Sequence, residues 1–462
     1  MKKMVFALFF GNRFVFSPEF ITDARREVCQ AVEQAGYNYL IADEGMTRYG
    51  AVETLAEAKL YAEWLAAHKG QYDGVILSMP NFSDENGAAE ALREAGVPIL
   101  IQAYPDELDK MGMKYRRDSF CGKFSIQEVL SQYKIPFTIY TPHCVHPLSG
   151  AFEKNLRDFA AVCRVVNGMK KCAIGAFGAR TTKFKTVRYD EITLQKYGIT
   201  VESIDLSEVF MRVDALGESD PAVKEHAAKI KAYADCSAVP SSGITTLARF
   251  SVVLDRYIEE YNLNAIAFRC WSELQDKYKI SLCPLMSMLN ERGIPASCEV
   301  DVCTAVNMLS MQLASEKPAI CLDWNNNYGG DPDKCILFHC GPVPKSLMKP
   351  GGAIAPNKLS AETTGCYVGD IAAFPMTFSG CKTEDGKLSF YIGEGAMTDD
   401  PIDKAFFGAK AVAHIPNLPK KLLGMGRNSF RHHVAVGYGN MQGILTEAFT
   451  YYLKYDLIDI DR

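Results

Sequence analysis

The sequence predicts an α/β protein with two Rossmann-like, doubly wound parallel-sheet domains, followed by a β-rich, barrel-like C-terminal domain. Three observations predict this fold class. Short apolar runs alternate with helical patterns through the first part of the chain, and this order is typical of parallel sheets. A second alternating series begins at Lys171. From Cys335 onward, short β-type segments are separated by glycine turns, as in antiparallel or barrel-like sheets.

These patterns divide the chain into three domains. We expect an N-terminal α/β domain over residues 1–165 and a second α/β domain over residues 166–316. The β-rich domain takes residues 317–462. The division places Glu299 in the second domain, whereas Asp323, His432 and His433 fall in the third.

In the first domain, apolar runs predict four strands. Ser17, Pro18 and Glu19 open the first helix as a cap, a proline at the first helical position and an early acid. Gly36 ends this helix, since glycine favours the left-handed conformation that follows many helices. The predicted strands are 3–10, 39–42, 74–79 and 97–102, and further helices are 51–68, 88–95 and 150–166.

The second domain repeats the same alternation. Its first strand leads into a turn with Gly175 and Gly178, which lacks the full dinucleotide-binding glycine pattern. This disfavours a nicotinamide cofactor and favours a tight strand-to-helix turn. Further strands are predicted at 199–205 and 264–269, and helices at 221–234, 245–261 and 284–292.

Composition excludes several classes of partner. The chain has 462 residues, 48% of them hydrophobic, and a formal net charge of -5, so we expect no nucleic-acid binding. No apolar stretch approaches the length of a membrane span, and we expect no membrane association. The 15 cysteines are an odd number and many lie in apolar runs. Buried thiols of this kind are typical of a reducing compartment, so we expect a cytoplasmic protein.

Two carboxylates at the edges of apolar elements are the candidate catalytic residues. Glu299 precedes an amphipathic helical run, and Asp323 ends a short buried strand. Such a pair can bind a divalent metal, shuttle protons, or do both. The alternative is structural, because Glu299 and Asp301 can also be first-turn acids favoured by the helix dipole.

His432 and His433 lie side by side in a strand-like segment. Adjacent side chains on a strand point to opposite faces, so at most one of them can face a given site. With Glu299 and Asp323, one of these imidazoles would complete a ligand set suited to Mn²⁺ or a similar divalent ion. Trp271 follows a predicted parallel strand and is a candidate site-lining residue, although a packed tryptophan is an equally good interpretation.

Five short motifs together resemble the L-fucose/L-arabinose isomerase family, most closely its L-fucose isomerase-like branch. They occur in the order CWSELQ (270–275), GIPASCEVD (293–301), LDW (322–324), LFHCG (337–341) and RHHVAV (431–436). The resemblance extends from FGNR near the start to the histidine pair near the end.

The resemblance implies a metal-dependent aldose–ketose isomerase that works through an ene-diol intermediate. The metal, typically Mn²⁺, would be held by Glu299, Asp323 and a histidine, either His432 or His433, with some preference for His433. The family also implies a homo-oligomer whose active site is completed by the N-terminal domain of a neighbouring subunit. Arg13 in the FGNR motif is a candidate for that contribution to substrate binding.

Two other function classes remain open at this stage. One is a non-catalytic sugar-binding or sensor protein with periplasmic-binding-like lobes, which would need neither the carboxylate pair nor the histidine pair. The other is a nicotinamide-dependent oxidoreductase, which the incomplete glycine pattern disfavours. The sugar is also open, since a pentose, a 6-deoxyhexose or an anionic hexose would each fit.

Overall fold

A computed structural model describes residues 3–358 and 363–462. The chain forms two compact units, Met1–Asn167 and Gly168–Arg462. Among the described residues, no helix is both long enough and apolar enough to cross a bilayer.

The first unit is a parallel four-stranded sheet in the order β2-β1-β3-β4. The central strands are wholly buried because helices cover both faces of the sheet, as expected for near-continuous apolar strands. The strands are β1 (Val5–Phe10), β2 (Asn38–Ile41), β3 (Gly74–Met79) and β4 (Ile99–Ala103), and the helices are α1 (Glu19–Gln34), α2 (Leu55–Ala67), α3 (Glu85–Leu92), α4 (Ser119–Gln132) and α5 (Gly150–Met169).

The second unit begins with another parallel sheet, in the order β6-β5-β7-β8. Its strands are β5 (Cys172–Phe177), β6 (Ile199–Ile204), β7 (Ala265–Phe268) and β8 (Ala296–Cys298). The helices of this part are α6 (Glu191–Lys196), α7 (Leu206–Asp214), α8 (Pro221–Tyr233), α9 (Ser241–Glu260), α10 (Glu273–Tyr278), α11 (Cys283–Glu291) and α12 (Val302–Ser315).

The rest of the second unit is a nine-stranded mixed sheet. Six of its strands close into an antiparallel barrel in the order β15-β10-β9-β16-β13-β14, because β14 also pairs with β15. The strands of this sheet are β9 (Ala319–Tyr328), β10 (Asp331–His339), β11 (Ala353–Pro356), β12 (Thr364–Asp370), β13 (Phe374–Glu384), β14 (Lys387–Thr398), β15 (Ala409–His414), β16 (His433–Tyr438) and β17 (Asp456–Leu457). The helices are α13 (Leu418–Arg427) and α14 (Gln442–Glu447), and α14 continues as a π-helical segment, Ala448–Leu453.

Helix α12 joins the two sheets of the second unit. It packs against β5, β7 and β8 on one side and against β9, β13 and β16 on the other, so most of its residues are buried. The predicted amphipathic face is therefore only part of its buried surface. This position brings the N-terminus of α12 next to the barrel strands.

The fold class predicted from the sequence is confirmed: parallel sheets with helices precede a β-rich C-terminal part. Two details differ from the sequence prediction. Strand β16 begins at His433, so His432 precedes the strand, and its carbonyl accepts a hydrogen bond from Trp324 N. The sequence patterns did not predict helices α4, α6, α7, α10, α13 and α14.

Candidate active site

The candidate site lies where the carboxyl ends of the parallel strands β7 and β8 meet the barrel strands β9, β10 and β16. Glu299 follows β8 directly, and Glu299 and Val300 both have positive φ angles, +58° and +60°. Such angles are unfavourable for residues with a Cβ and are worst for β-branched ones. Strain of this kind persists where the surroundings enforce it, commonly at functional sites. Here the turn directs both Glu299 and Asp301 towards His433.

The barrel contributes Asp323 and His433 as a cross-strand pair. These residues lie directly opposite each other in the antiparallel β9–β16 ladder, and opposite residues project from the same face of a sheet. His433 Nε2 lies 3.0 Å from Glu299 Oε2 and 3.5 Å from Asp323 Oδ1. One buried imidazole nitrogen therefore faces both predicted catalytic carboxylates.

A buried ion-pair network fixes the orientation of His433. Its Nδ1 donates to Asp301 Oδ2 at 2.8 Å, so Nε2 is the ring nitrogen that faces the carboxylates. Asp301 also caps α12 by accepting from Thr304 N, and it pairs with the Arg431 guanidinium. The sequence suggested Asp301 as an acid favoured by the helix dipole. In the structure it caps α12 and also fixes the position of the His433 ring.

The site is electrostatically coupled. Burial raises the pKa of Glu299, but the adjacent His339 and His433 imidazoles outweigh burial and hold this pKa well below its usual range. Burial lowers the pKa of His433, but Asp301 and Glu299 outweigh it and raise that pKa well above its ordinary value. The Glu299 carboxylate is therefore ionised near neutral pH. A bound cation would take the place of the His433 proton.

Three buried polar atoms of the site have no hydrogen-bond partner: Glu299 Oε2, Asp323 Oδ1 and His339 Nε2. Unpaired buried polar atoms are rare in native proteins and commonly mark an ion or water position. Two carboxylates and one neutral imidazole are the donor set that Mn²⁺ and similar ions accept. Adjacent ligand atoms on an octahedral ion lie about 3 Å apart, close to the separations around His433 Nε2. The residues present therefore fit a divalent metal.

The neighbouring side chains offer further ligand atoms. Two groups have mutually close donor atoms, one of Asp323, His432 and His433 and one of Cys321, His339 and His433. His432 is the more exposed of the two adjacent histidines, and its Nε2 lies 3.7 Å from Asp323 Oδ1. Of the two predicted catalytic carboxylates, His432 is close only to Asp323, whereas His433 faces both Glu299 and Asp323.

Trp271 lines the site. Its indole N–H donates to Glu299 Oε1 at 3.3 Å, and its ring lies edge-on to Phe184, 5.9 Å between centroids. The Phe184 ring also contacts His432 and His433, with centroid separations of 5.5 and 6.0 Å. Phe184 belongs to the segment after β5, so that this segment covers the site.

Arg13 lies in the first unit. Its guanidinium pairs with Glu85 at 2.7 Å and stacks on the Phe82 ring. Its predicted role in substrate binding stays a prediction.

Sequence reasoning did not assign a role to three residues of the site: His339, Arg431 and Phe184. His339 lies inside the motif LFHCG, at the end of a predicted β segment, and Arg431 lies inside RHHVAV, beside the histidine pair. These positions were the sequence signals that could have identified them as site residues. No sequence signal distinguished Phe184, because the segment that carries it reads as a polar loop.

Family models match both ends of the chain. Residues 7–170 match the N-terminal domain of fucose/sulfoquinovose isomerases, and residues 337–461 match the C-terminal domain of L-fucose isomerase. The two matches occur in the family's order and together take up more than half of the chain. The chain belongs to the L-fucose isomerase-like family. Its members are aldose–ketose isomerases, so this chain is an enzyme of that class that acts on a sugar, as the motifs predicted.

Three relatives of this isomerase family span most of the chain. Sulfoquinovose isomerases of Priestia aryabhattai and Priestia megaterium are each 23% identical over 389 residues, which is 81% of this chain and 83% of theirs. The sulfoquinovose isomerase of Alkalicoccus urumqiensis is 23% identical over 333 residues, 70% of this chain and 72% of its own.

Solved structures add little to the family assignment. An ABC transporter solute-binding protein of Burkholderia multivorans aligns with 69% of this chain and 95% of its own length. Its identity is 10% and its TM-score 0.19, so the likeness carries no argument for a sugar-binding or sensor role.

Proposed function

We propose that this isomerase depends on a divalent metal, with Mn²⁺ as the natural choice, held by Glu299, Asp323 and His433. The single observation that carries the proposal is the convergence of two unpaired carboxylate oxygens on His433 Nε2. The Nδ1–H bond from His433 to Asp301 supports it, because metal-binding histidines generally donate their other ring N–H to a carboxylate or carbonyl.

The proposed chemistry needs two proton movements. Glu299 accepts the proton from C2 of the open-chain aldose and returns it to C1, so that C2 becomes the carbonyl carbon. Asp323 carries the proton that leaves the O2 hydroxyl and delivers it to O1. A bound divalent ion supplies a Lewis acid that stabilises the negative charge on the sugar oxygens. The ene-diol lies between the two proton transfers, and each carboxylate ends in its starting protonation state.

Metal analysis tests this proposal first. We expect the purified protein to hold about one divalent ion per chain, and chelation should abolish ketose formation until Mn²⁺ is restored. The assay uses a panel of aldoses that includes L-fucose, L-arabinose and sulfoquinovose. A protein that takes up no metal even when Mn²⁺ is offered would overturn the ligand set and return the binding-protein alternative to consideration.

We further propose that the substrate is an anionic aldose of the sulfoquinovose type, a hexose with a sulfonate on C6. The named relatives support this proposal, and so does a basic loop formed by Arg180, Lys183, Lys185 and Arg188. Lys183, Lys185 and Arg188 are exposed, and no salt bridge involves any of the four within residues 3–358 and 363–462. Phe184, in the middle of the loop, contacts His432 and His433. A positive loop on a chain of net charge -5 would attract an anionic sugar.

Removing the charges of this loop tests the substrate class. The variant K183Q/K185Q/R188Q should raise KM for sulfoquinovose about 10-fold or more, because exposed charges chiefly affect encounter and binding, and should leave kcat for a neutral aldose unchanged. Exposed lysines of α8 provide the matched control, K224Q/K231Q. An equal change in KM for neutral and anionic sugars would argue against recognition of the anion.

We also propose a cytoplasmic homo-oligomer in which Arg13 reaches a neighbouring subunit's site. Two observations support it. No cysteine of the described residues forms a disulfide, as is usual in a reducing compartment. Phe14 and Val15, beside Arg13, are 79% and 52% exposed, and large exposed apolar side chains are common where another chain binds.

A further inference from the structure

Residues 178–190 form a strap that joins β5 to α6 and is tied near both ends to elements of the site. Near its start, the buried Thr181 hydroxyl donates to the carbonyl of Trp271 at 3.2 Å. Near its end, the Arg431 guanidinium donates to the carbonyl of Arg188 at 3.1 Å. Both anchors belong to segments that carry site residues, so the strap is held against the site.

Phe184 lies between these two anchors. Its backbone N–H donates to the Thr181 carbonyl at 2.9 Å, which closes a turn of the strap. Its ring is half-buried and contacts the rings of Trp271, His432 and His433. The residues on either side of Phe184 are exposed, whereas His433 is 1% exposed. The Phe184 ring therefore covers His433 from the solvent side.

Two of the rings beneath Phe184 contact the Glu299 carboxylate. The Trp271 indole N–H donates to Oε1, and His433 Nε2 lies 3.0 Å from Oε2. Glu299 Oε2 is buried. Phe184 thus packs on a neighbour of each carboxylate oxygen, and together the three rings separate the Glu299 carboxylate from solvent.

The proposed isomerisation is sensitive to water at one step. Once Glu299 has taken the proton from C2, it holds that proton until C1 accepts it, and water that reached the carboxylate meanwhile would exchange it. A closed site prevents such proton leakage by excluding water. We propose that Phe184 is a positioning residue that keeps water from Glu299 once the sugar is bound, so that the C2 proton returns to C1 of the same sugar. This inference rests on the proposed isomerisation with Glu299 as the carbon base.

Isomerisation in D2O tests the proposal on the full chain loaded with Mn²⁺. Sulfoquinovose and L-fucose are the substrates, and deuterium bound to C1 of the ketose is measured at low conversion. Hydroxyl deuterium does not interfere, because it is lost when the product is returned to ordinary water. F184A should raise the deuterium incorporated per turnover severalfold over the wild type. F184L keeps an apolar side chain over the site, so its deuterium incorporation should stay close to that of the wild type.

The matched control is F210A. Phe210 is a half-buried ring of the same unit that packs on Phe250 and Tyr278, so its removal should leave deuterium incorporation unchanged. Mn²⁺ titration of F184A should give the wild-type affinity, because a phenyl ring offers no ligand atom to the metal.

Two results would overturn the role of Phe184. One is equal deuterium incorporation per turnover in F184A and the wild type. The other is weaker Mn²⁺ binding in F184A, which would make the ring a support for the His433 side chain instead. Failure of the proposed function is a different result: the wild type itself would bind no Mn²⁺ or form no ketose, and the role of Phe184 would be rejected with it.

Discussion

Substitution of Glu299 by glutamine should lower kcat by at least about 10³-fold, because one side chain is both the proposed carbon base and a proposed metal ligand. Glutamine keeps the shape and still accepts from the Trp271 indole N–H, but it cannot take a proton from C2. We therefore expect the fold to be retained. Ketose formation under saturating Mn²⁺, with circular dichroism of the same sample, measures both expectations.

The matched control for E299Q is E259Q, on the exposed surface of α9 in the same unit. It makes the same chemical change away from the site and should leave kcat and metal content unaffected. Retained turnover in E299Q would remove Glu299 from the mechanism. Loss of turnover together with unfolding would instead assign it a structural role at the strained turn.

Substitution of Asp301 should affect both stability and metal binding, because Asp301 holds three groups at once. D301A leaves the Arg431 guanidinium, which is 6% exposed, without its partner, and breaking a buried ion pair from one side costs about 3–5 kcal/mol. It also removes the cap of α12 and frees the His433 ring. D301N keeps a side-chain oxygen for capping, so it should unfold less readily while still binding Mn²⁺ about 10–100-fold more weakly.

Asp205 provides the comparison for D301A. It caps α7 by accepting from Ser207 N but lies on the surface. D205A should cost only about 1 kcal/mol and should not change Mn²⁺ affinity. Chemical denaturation and Mn²⁺ titration of the variants separate the two effects. If D301N bound Mn²⁺ with wild-type affinity, Asp301 would be a cap and ion-pair partner only, as the first-turn interpretation of this residue predicts.

The sequence alone determined the fold class, the family and the residues to examine. Short continuous apolar runs and helical patterns of period 3.6 are local properties, so the alternating elements of both parallel sheets could be predicted from them. The change to glycine-separated β segments after Cys335 likewise predicted a β-rich end. The motifs containing Glu299, Asp323 and the histidine pair were visible because each is a short contiguous string.

Only the tertiary structure decided which residues of these motifs lie next to each other, because no single motif encodes long-range strand pairing. The pairing of β9 with β16 sets Asp323 opposite His433, and Asp301, 132 residues away in sequence, fixes which imidazole nitrogen is free. The same pattern of strand residues could not distinguish His432 from His433.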